Sequence, residues 1–204
     1  MRNDMVCLRM CFHVSRRINI SVPNKHGKYS FLLSVIMAEV TLEPLRDEDR
    51  NQFILDNQEA FRYGATEEFG LRDDHFEEPG EIISRATIEE CLNRSTAFRI
   101  LQDGASVGGV IVSVKEDKGE LEILFVSPRE HSKGVGYAAW CAIEKMYPHV
   151  RIWTTCTPYF EKRNIHFYVN RCGFHIVEFY NEHHPDPHGD DKMDEMFGFE
   201  KIMF

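Results

Sequence analysis

Two glycines near the middle of the chain follow a strand pattern and open a helix pattern, an arrangement suited to binding an anion. Residues 121–136 read LEILFVSPREHSKGVG, so the strand pattern ends before Pro128, and Gly134 and Gly136 stand at the helix start. Such a turn aims backbone N–H groups and the positive end of the helix dipole at one point, and glycine admits an anion close to the backbone. The segment therefore predicts a phosphate or pyrophosphate site, although a helix start that merely contains glycines has the same letters. A P-loop is excluded because no G-K-[ST] follows.

Two segments carry a family resemblance. Residues 126–136, V-x-P-x-x-H-x-K-G-x-G, resemble the acetyl-CoA pyrophosphate loop of the GNAT superfamily of N-acetyltransferases, whose pattern is [RQ]-x-x-G-x-[GA]. The chain departs from this pattern at the first position, where His131 replaces Arg or Gln, and Lys133 could supply the charge instead. Residues 163–174, RNIHFYVNRCGF, resemble the family's N-x-x-x-[FY]-Y-x-x-x-G-F stretch. The likeness extends over about residues 40–204, including the predicted order of elements.

The resemblance implies that acetyl-CoA is the cosubstrate. Pantetheine would lie like an added strand where 122–126 splays from 150–155, bonded to main-chain groups of Leu124 and Val126, one of which polarises the thioester carbonyl. Asn164 would orient the pantetheine arm. The implied cofactor-binding residues are Leu124, Phe125, Val126, His131, Ser132, Lys133, Gly134, Val135, Gly136 and Asn164.

The resemblance also assigns a proton donor, whereas the proton acceptor stays open. Tyr168 stands where the family's tyrosine protonates the departing CoA thiolate, and a phenol with a pKa near ~10 suits that leaving group. Apolar periodicity alone would make Tyr168 a core residue of an amphipathic helix. Many family members place a basic carboxylate on or beside the central strand, where Glu122 is the first candidate because strand alternation sets it on the face of Leu124. Glu120 is the second, and a surface glutamate without a catalytic role is the competing interpretation.

The elements that must position these residues follow from hydrophobic periodicity, capping and turn signals. A strand at 40–45 precedes a helix that Asp47 caps and Gly64 ends, and the box Thr87-x-x-Glu90 opens a second helix. The later elements are strands at 97–102, 107–114 and 120–126, a helix at 134–147, a strand at 150–155, a helix at 164–172, and strands at 174–180 and 195–204. The prediction is one α/β domain with a GNAT-like mixed, mostly antiparallel sheet of six to seven strands and about four helices.

Composition and charge limit the classes of function. The 204 residues contain no apolar run long enough to span a membrane. With 24 Lys+Arg against 33 Asp+Glu, the net charge of −9 argues against a general nucleic-acid binder. Six cysteines without a C-x-x-C pair favour a reducing cytoplasm over a disulfide scaffold. The run HHPDPHGDD at 183–191 lacks recognised zinc spacing, so no metal is expected.

Residues 1–37 differ in charge from the domain at 38–204. The first 38 residues hold six cations and one acid, whereas the remainder holds 18 cations and 32 acids. Three interpretations stay open for this extension: a targeting segment, a basic partner-binding arm, or translated sequence upstream of a start at Met37. The last is favoured because a globular domain needs nothing upstream of Met37.

Two acidic segments suggest the class of acceptor. Residues 65–81 hold seven acids and one arginine, and 181–195 hold six acids and one lysine. In a GNAT-like fold both would border the acceptor side, and their field would attract a cationic amine such as a polyamine, an aminoglycoside-like compound or a basic peptide terminus. A solvated acidic surface is the alternative interpretation.

These patterns together predict an N-acetyltransferase that moves acetyl from acetyl-CoA to a primary amine, a small molecule or a peptide, by direct attack in a ternary complex. A non-catalytic acyl-CoA-binding module, marked by the departure at His131, is the main alternative. A toxin that acetylates aminoacyl-tRNA is the second, supported by the basic residues 1–36 and opposed by the acidic remainder. Neither nucleic acid nor membrane is an expected partner, and a two-fold homodimer is the default form of self-association.

Overall fold

The computed structural model describes residues 20–23, 29–32, 39–66, 76–131, 133–186 and 195–204. Strands β1 and β2 pair with each other as a separate antiparallel ribbon, and the other strands of this part of the chain form one sheet. The strands are β1 Ile20–Pro23, β2 Tyr29–Leu32, β3 Thr41–Pro44, β4 Thr96–Gln102, β5 Ala105–Lys115, β6 Lys118–Val126, β7 Ile152–Pro158, β8 His175–Tyr180 and β9 Met196–Ile202.

Four α-helices lie in the described part of the chain, and short turns of other helix types adjoin three of them. The helices are α1 Arg50–Thr66, α2 Arg85–Arg94, α3 Val135–Met146 and α4 Lys162–His166. A 3-10 turn, Asp47–Asp49, precedes α1, and another, Pro128–Glu130, lies between β6 and α3. Helix α4 continues directly as a π-helical turn, Phe167–Cys172.

The sheet has seven strands in the order β3-β4-β5-β6-β7-β9-β8. Neighbouring strands are antiparallel except β6 and β7, which are parallel and are connected through α3. The predicted mixed, mostly antiparallel sheet of six to seven strands with about four helices is confirmed.

Two apolar layers hold the helices to opposite faces of the sheet. Helices α1 and α2 cover one face, whereas α3 and the π-helical turn cover the other. Because neighbouring residues of a strand point to opposite faces, Ile111 belongs to the first layer and Val110 and Val112 to the second. The α1–α2 layer includes Phe53, Ile54, Ile88, Cys91, Ile123 and Phe125, and the other includes Leu121, Trp140, Ile143, Trp153, Tyr168, Phe174 and Phe199.

The predicted ends of the first two helices are wrong by a few residues. Asp47 is the first residue of the 3-10 turn rather than a helix cap, and α1 continues through Gly64 to Thr66. Helix α2 begins at Arg85, and its cap is Ser84, whose hydroxyl accepts a hydrogen bond from the main chain of Thr87. The predicted capping box, Thr87 to Glu90, therefore lies inside α2 rather than at its start.

Candidate active site

Strands β6 and β7 separate part-way along their length. Their pairing runs from Lys118 and Ile152 to Glu120 and Thr154 and stops there, so the C-terminal halves of both strands diverge. Main-chain groups of β6 that would face a neighbouring strand are thereby left for another partner. The predicted splay of 122–126 from β7 is present.

Side chains take the place of a neighbouring strand at the two ends of this opening. At the narrow end, Oγ1 of Thr155 donates a hydrogen bond to the carbonyl of Leu121 at 2.8 Å. At the wide end, Nε2 of His131 lies 2.9 Å from the carbonyl oxygen of Val126. Between them lies the part of β6 where the sequence predicts contact with pantetheine.

The loop at the wide end leads into the N-terminus of α3. Gly134 has a φ of +82°, a left-handed conformation that a residue with a Cβ adopts only with strain. The main chain of Ala138 donates to the carbonyl of Gly134 at 3.0 Å, so the N–H groups of 135–137 lie ahead of the helical ladder and point out of the helix end. This is the geometry that binds an anion. Ser132, also predicted here, lies outside the described residues.

The cationic side chains of this loop have defined neighbours. Lys133, predicted as a source of positive charge, has its Nζ 2.9 Å from a carboxylate oxygen of Glu130. Arg163 reaches from α4 to the loop, with its guanidinium 3.3 Å from Nδ1 of His131. Because a guanidinium can only donate, Nδ1 accepts, and Nε2 carries the proton that bonds the carbonyl of Val126.

Three of the predicted cofactor-binding residues have side chains packed in apolar layers. Phe125 is buried and packs edge-to-face on Phe53 with ring centroids 5.0 Å apart. Val135 is buried as the first residue of α3, and Leu124 is half-buried on the sheet face that α3 covers. These residues can therefore offer a ligand mainly their backbone groups. Asn164 lies in the first turn of α4, which begins two residues before the predicted start, and its Nδ2 donates to Oγ1 of Thr157 on β7 at 3.2 Å.

Tyr168 is buried at the narrow end of the opening. Its ring packs against Phe174 and Phe199, and its hydroxyl forms a hydrogen bond with Thr155. Since Thr155 uses its own proton to bond Leu121, the hydroxyl of Tyr168 is the donor to Thr155. Burial raises the pKa of Tyr168 above its ordinary value, so the phenol keeps its proton at neutral pH.

Both the sequence and the fold are similar to those of known proteins. The model of the Acetyltransferase (GNAT) family matches residues 54–174. The protein YrkN of Bacillus subtilis (strain 168), described as uncharacterized, is 46% identical over 179 residues, which cover 81% of this chain and 94% of YrkN. The chain belongs to the GNAT acetyltransferase family.

Solved structures with the fold of this GNAT protein include ligand complexes. A GNAT family acetyltransferase from Elizabethkingia anophelis with acetyl-CoA bound is 11% identical, with a TM-score of 0.56, over 80% of this chain and 98% of that one. PaiA N-acetyltransferase from Thermoplasma acidophilum in complex with coenzyme A is 16% identical, with a TM-score of 0.57, over 81% and 99% of the two chains. At these identities the likeness shows the fold.

The π-helical turn of this GNAT protein accounts for one of two spacing differences in the second family motif, the one after Tyr168. Four residues separate Tyr168 from Gly173, where the family pattern has three, and two separate Asn164 from Phe167 in place of three. A π turn holds one more residue than an α turn, and Gly173, with a φ of +80°, ends it. Phe174 then returns to Tyr168 through a main-chain hydrogen bond of 3.0 Å.

Glu122 faces a different side of the sheet from the one predicted. Leu124 packs with the layer of α3, whereas the carboxylate of Glu122 contacts the end of α2. The reason is a β-bulge: the register against β5 shifts at Glu122, and the extra residue breaks the alternation of side chains. Sequence reasoning could not detect this shift because it depends on the partner strand.

The carboxylate of Glu122 is held by donors from α2. Its side chain is 4% exposed, with Oε2 at 3.2 Å from Nε of Arg94 and Oε1 at 2.5 Å from the hydroxyl of Ser95. Cys91 also bonds Glu122, and burial together with this carboxylate raises the pKa of the thiol to about 12. These contacts fix the direction of the Glu122 carboxylate.

An open sheet face of β6, β7, β9 and β8 lies beyond α1 and α2 and carries acidic side chains. Glu120, Thr154 and Glu200 lie side by side across three strands. Two residues further along, Cys156, Gly198 and Glu178 form a second row. Both rows lie on the sheet face opposite to Phe199, which packs against Tyr168 in the layer of α3. The open face is therefore on the side of α1 and α2, where Glu122 also lies.

Of the two acidic segments of the sequence, the described part of the first contacts α1 and α2, whereas Asp186 of the second lies near the open face. Glu77, Glu78 and Glu81 each accept hydrogen bonds from α1 or from the start of α2, so their charge fastens the connection between these helices. Residues 67–75 lie outside the described part of the chain. Burial raises the pKa of Cys156 and of Tyr180, and the nearby carboxylate of Asp186 adds a smaller contribution to both shifts.

Other expectations concern metals and membranes. Within the described ranges, no three His, Cys, Asp or Glu side chains are grouped as metal ligands, and residues 187–191 of the histidine-rich run lie outside those ranges. None of the helices in the described part of the chain has the length and apolar character needed to cross a bilayer.

Proposed function

We propose that this GNAT protein is an N-acetyltransferase that transfers the acetyl group of acetyl-CoA to a primary amine by direct attack in a ternary complex. The observation that carries the proposal is the opening between β6 and β7. It has the free N–H groups of a helix N-terminus at its wide end and a buried phenol at its narrow end.

The residues around the opening suit acetyl-CoA. The N–H groups of 135–137 would bind the pyrophosphate, with Gly134 supplying the left-handed turn that aims them. Leu124 and Val126 would form hydrogen bonds to the pantetheine arm through their main chains. Val126 would use either its N–H group or its carbonyl, and the carbonyl becomes accessible once His131 moves away from it. The two solved structures with acetyl-CoA or coenzyme A bound support this choice of cosubstrate.

Two residues would move the protons of the reaction. The amine nitrogen bonds to the carbonyl carbon of the thioester, and the bond from that carbon to sulfur breaks. Tyr168 gives its proton to the leaving thiolate, which its raised pKa permits because the phenol is still protonated at neutral pH. Glu122 takes the proton lost by the amine, directly or through water.

The acceptor would be a cationic amine. Glu120, Glu178 and Glu200 line the open sheet face on the side of Glu122, and Asp186 lies near it. Lys118, at the far end of β6, offsets part of this charge. A protonated amine drawn to this face would meet Glu122 before reaching the thioester.

The test is release of coenzyme A from acetyl-CoA by the full chain across a panel of monoamines, polyamines and basic peptides. Turnover with one class of amine is expected, and Tyr168→Phe should lower kcat by about 10²- to 10⁴-fold, the usual size of general acid catalysis. Tyr63→Phe serves as the control, because Tyr63 meets His131 edge to face at the wide end, away from Tyr168. An unchanged kcat in Tyr168→Phe would contradict the role of this phenol.

The same assay separates the alternatives. A non-catalytic acyl-CoA-binding module would show tight binding of acetyl-CoA without turnover of any amine. A toxin would acetylate charged aminoacyl-tRNA in place of free amines, and the acidic open face argues against that substrate because it would repel phosphates. We propose a cytoplasmic location, since none of Cys91, Cys141, Cys156 and Cys172 forms a disulfide.

A further inference from the structure

We infer that Arg163 binds the pyrophosphate of acetyl-CoA through its guanidinium, and so makes a contact that the family's Arg or Gln at the position of His131 would otherwise make. This inference rests on the proposed function. It adds a binding residue from α4, on the β7 side of the opening, to a cradle otherwise built by the loop on the β6 side.

The side chain of Arg163 already reaches that loop. Asn164, the next residue, is anchored to Thr157 on β7, which fixes the start of α4 beside the opening. From there the guanidinium of Arg163 extends to within 3.3 Å of Nδ1 of His131. The two residues are 32 positions apart in the sequence, and the fold brings them together at the wide end.

The bond between Arg163 and His131 is one that a phosphate can replace. The acceptor in that bond is Nδ1 of His131, because a guanidinium only donates, and Nε2 of the same ring contacts the carbonyl of Val126. A phosphate offers a guanidinium charged oxygens and two parallel hydrogen bonds, whereas the imidazole offers a single nitrogen. A phosphate that takes the place of His131 as the acceptor for Arg163 would therefore be bound favourably. The imidazole would then be held less firmly on the carbonyl of Val126.

The loop's own lysine is less well placed for this task. Lys133 is exposed, so water screens its charge strongly. Arg163 is half-buried, which weakens the screening of its charge by water. Of these two cations, Arg163 is the one expected to set the affinity for the pyrophosphate.

The experiment is calorimetric titration of the full-length protein with coenzyme A and with S-acetylpantetheine, which lacks the phosphates. Arg163→Ala is expected to weaken coenzyme A binding by about 10- to 100-fold, as for loss of a hydrogen bond to a charged group, and to leave S-acetylpantetheine binding unchanged. Lys162→Ala is the matched control, because it removes the same charge from the neighbouring exposed position of α4. Binding by that control should stay within about twofold of wild type, as for an isolated surface charge.

A rescue variant tests the assignment further. Placing the family's arginine on the loop, His131→Arg in the Arg163→Ala background, should restore most of the lost affinity for coenzyme A. Equal losses for both ligands in Arg163→Ala, or equal losses in Arg163→Ala and Lys162→Ala, would overturn the inference. Titration needs no turnover, so a wild type that binds coenzyme A without acetylating any amine contradicts the proposed function alone. A wild type that binds no coenzyme A contradicts both.

Discussion

Two glutamates of β6, two residues apart, lie in different surroundings on one side of the sheet. Glu122 is buried among donors from α2, whereas Glu120 is exposed on the open sheet face. We expect Glu122→Gln to lower kcat about 10²-fold or more, because the amide cannot accept the proton of the amine. Glu120→Gln should leave kcat nearly unchanged and raise the KM of a cationic acceptor.

The measurement is the pH profile of kcat and KM for both variants, with the melting temperature recorded to exclude unfolding. Glu122→Gln also removes a partner of Arg94, so Arg94→Gln serves as a control that breaks the same ion pair and keeps the carboxylate. If Arg94→Gln lowers kcat as much as Glu122→Gln does, Glu122 acts through the structure of α2 and is not the base.

The buried phenol of Tyr168 leads to a prediction about pH. Its folded-state pKa is raised above the ordinary value of about 10, so it stays protonated through neutral and moderately alkaline pH and loses its proton only above pH 10. The ratio of kcat between wild type and Tyr168→Phe should therefore stay constant from pH 7 to about pH 9.5. A ratio that falls steadily with rising pH in this range would show that the acid has an ordinary or lowered pKa.

Sequence motifs located the loop glycines and Tyr168, but they did not reveal the neighbours of these residues. Gly134 was predictable because its left-handed turn leaves a local signature. The direction of Glu122 was not predictable, since a bulge is set by the register of two strands. The contact of Arg163 with His131 was not predictable from the motif that contains Arg163, because it forms only when the fold brings β6 and α4 together.

At the scale of elements, the fit of α1 on β5 depends on one glycine. A Cβ on Gly109 would overlap the ring of Phe53 and lie 2.6 Å from the ring of Phe125. We expect Gly109→Ala to lower the free energy of unfolding by about 1–3 kcal/mol or more through overpacking. Gly64→Ala is the matched control: Gly64 lies within α1 with open space around its Cβ position, and alanine should stabilise the helix by about 0.5–1 kcal/mol. Chemical denaturation of both variants checks this, and equal stability would contradict the packing described for α1.

The order of elements followed from periodicity, whereas their ends depended on distant contacts. The cap of α2 was predicted three residues late because Glu77, seven residues before Ser84, bonds the main chain there at 2.9 Å and joins the capping group. The π-helical turn is likewise invisible to a period of 3.6 residues, yet it is what keeps Tyr168 and Phe174 in contact.

For the whole molecule, the acidic open face predicts a dependence on salt. The KM of a polyamine acceptor should rise when ionic strength is raised through about 0.1 M, where the Debye length falls to about 10 Å, and the KM of a monoamine should rise less. Initial rates at fixed acetyl-CoA concentration measure this effect. A KM for the polyamine that is independent of salt would mean that the open face is merely solvated.

The divergence of β6 from β7 also leaves a strand edge inside the sheet rather than at its border. If acetyl-CoA completes the hydrogen bonding there, amides of the C-terminal half of β6 should exchange with solvent more slowly in the complex than in the free protein. The same linkage makes resistance to unfolding depend on the supply of the cosubstrate: at 100 times its Kd, a ligand that binds only the folded state adds about 2.7 kcal/mol. Abundance of this protein in a cell would then follow the acetyl-CoA concentration.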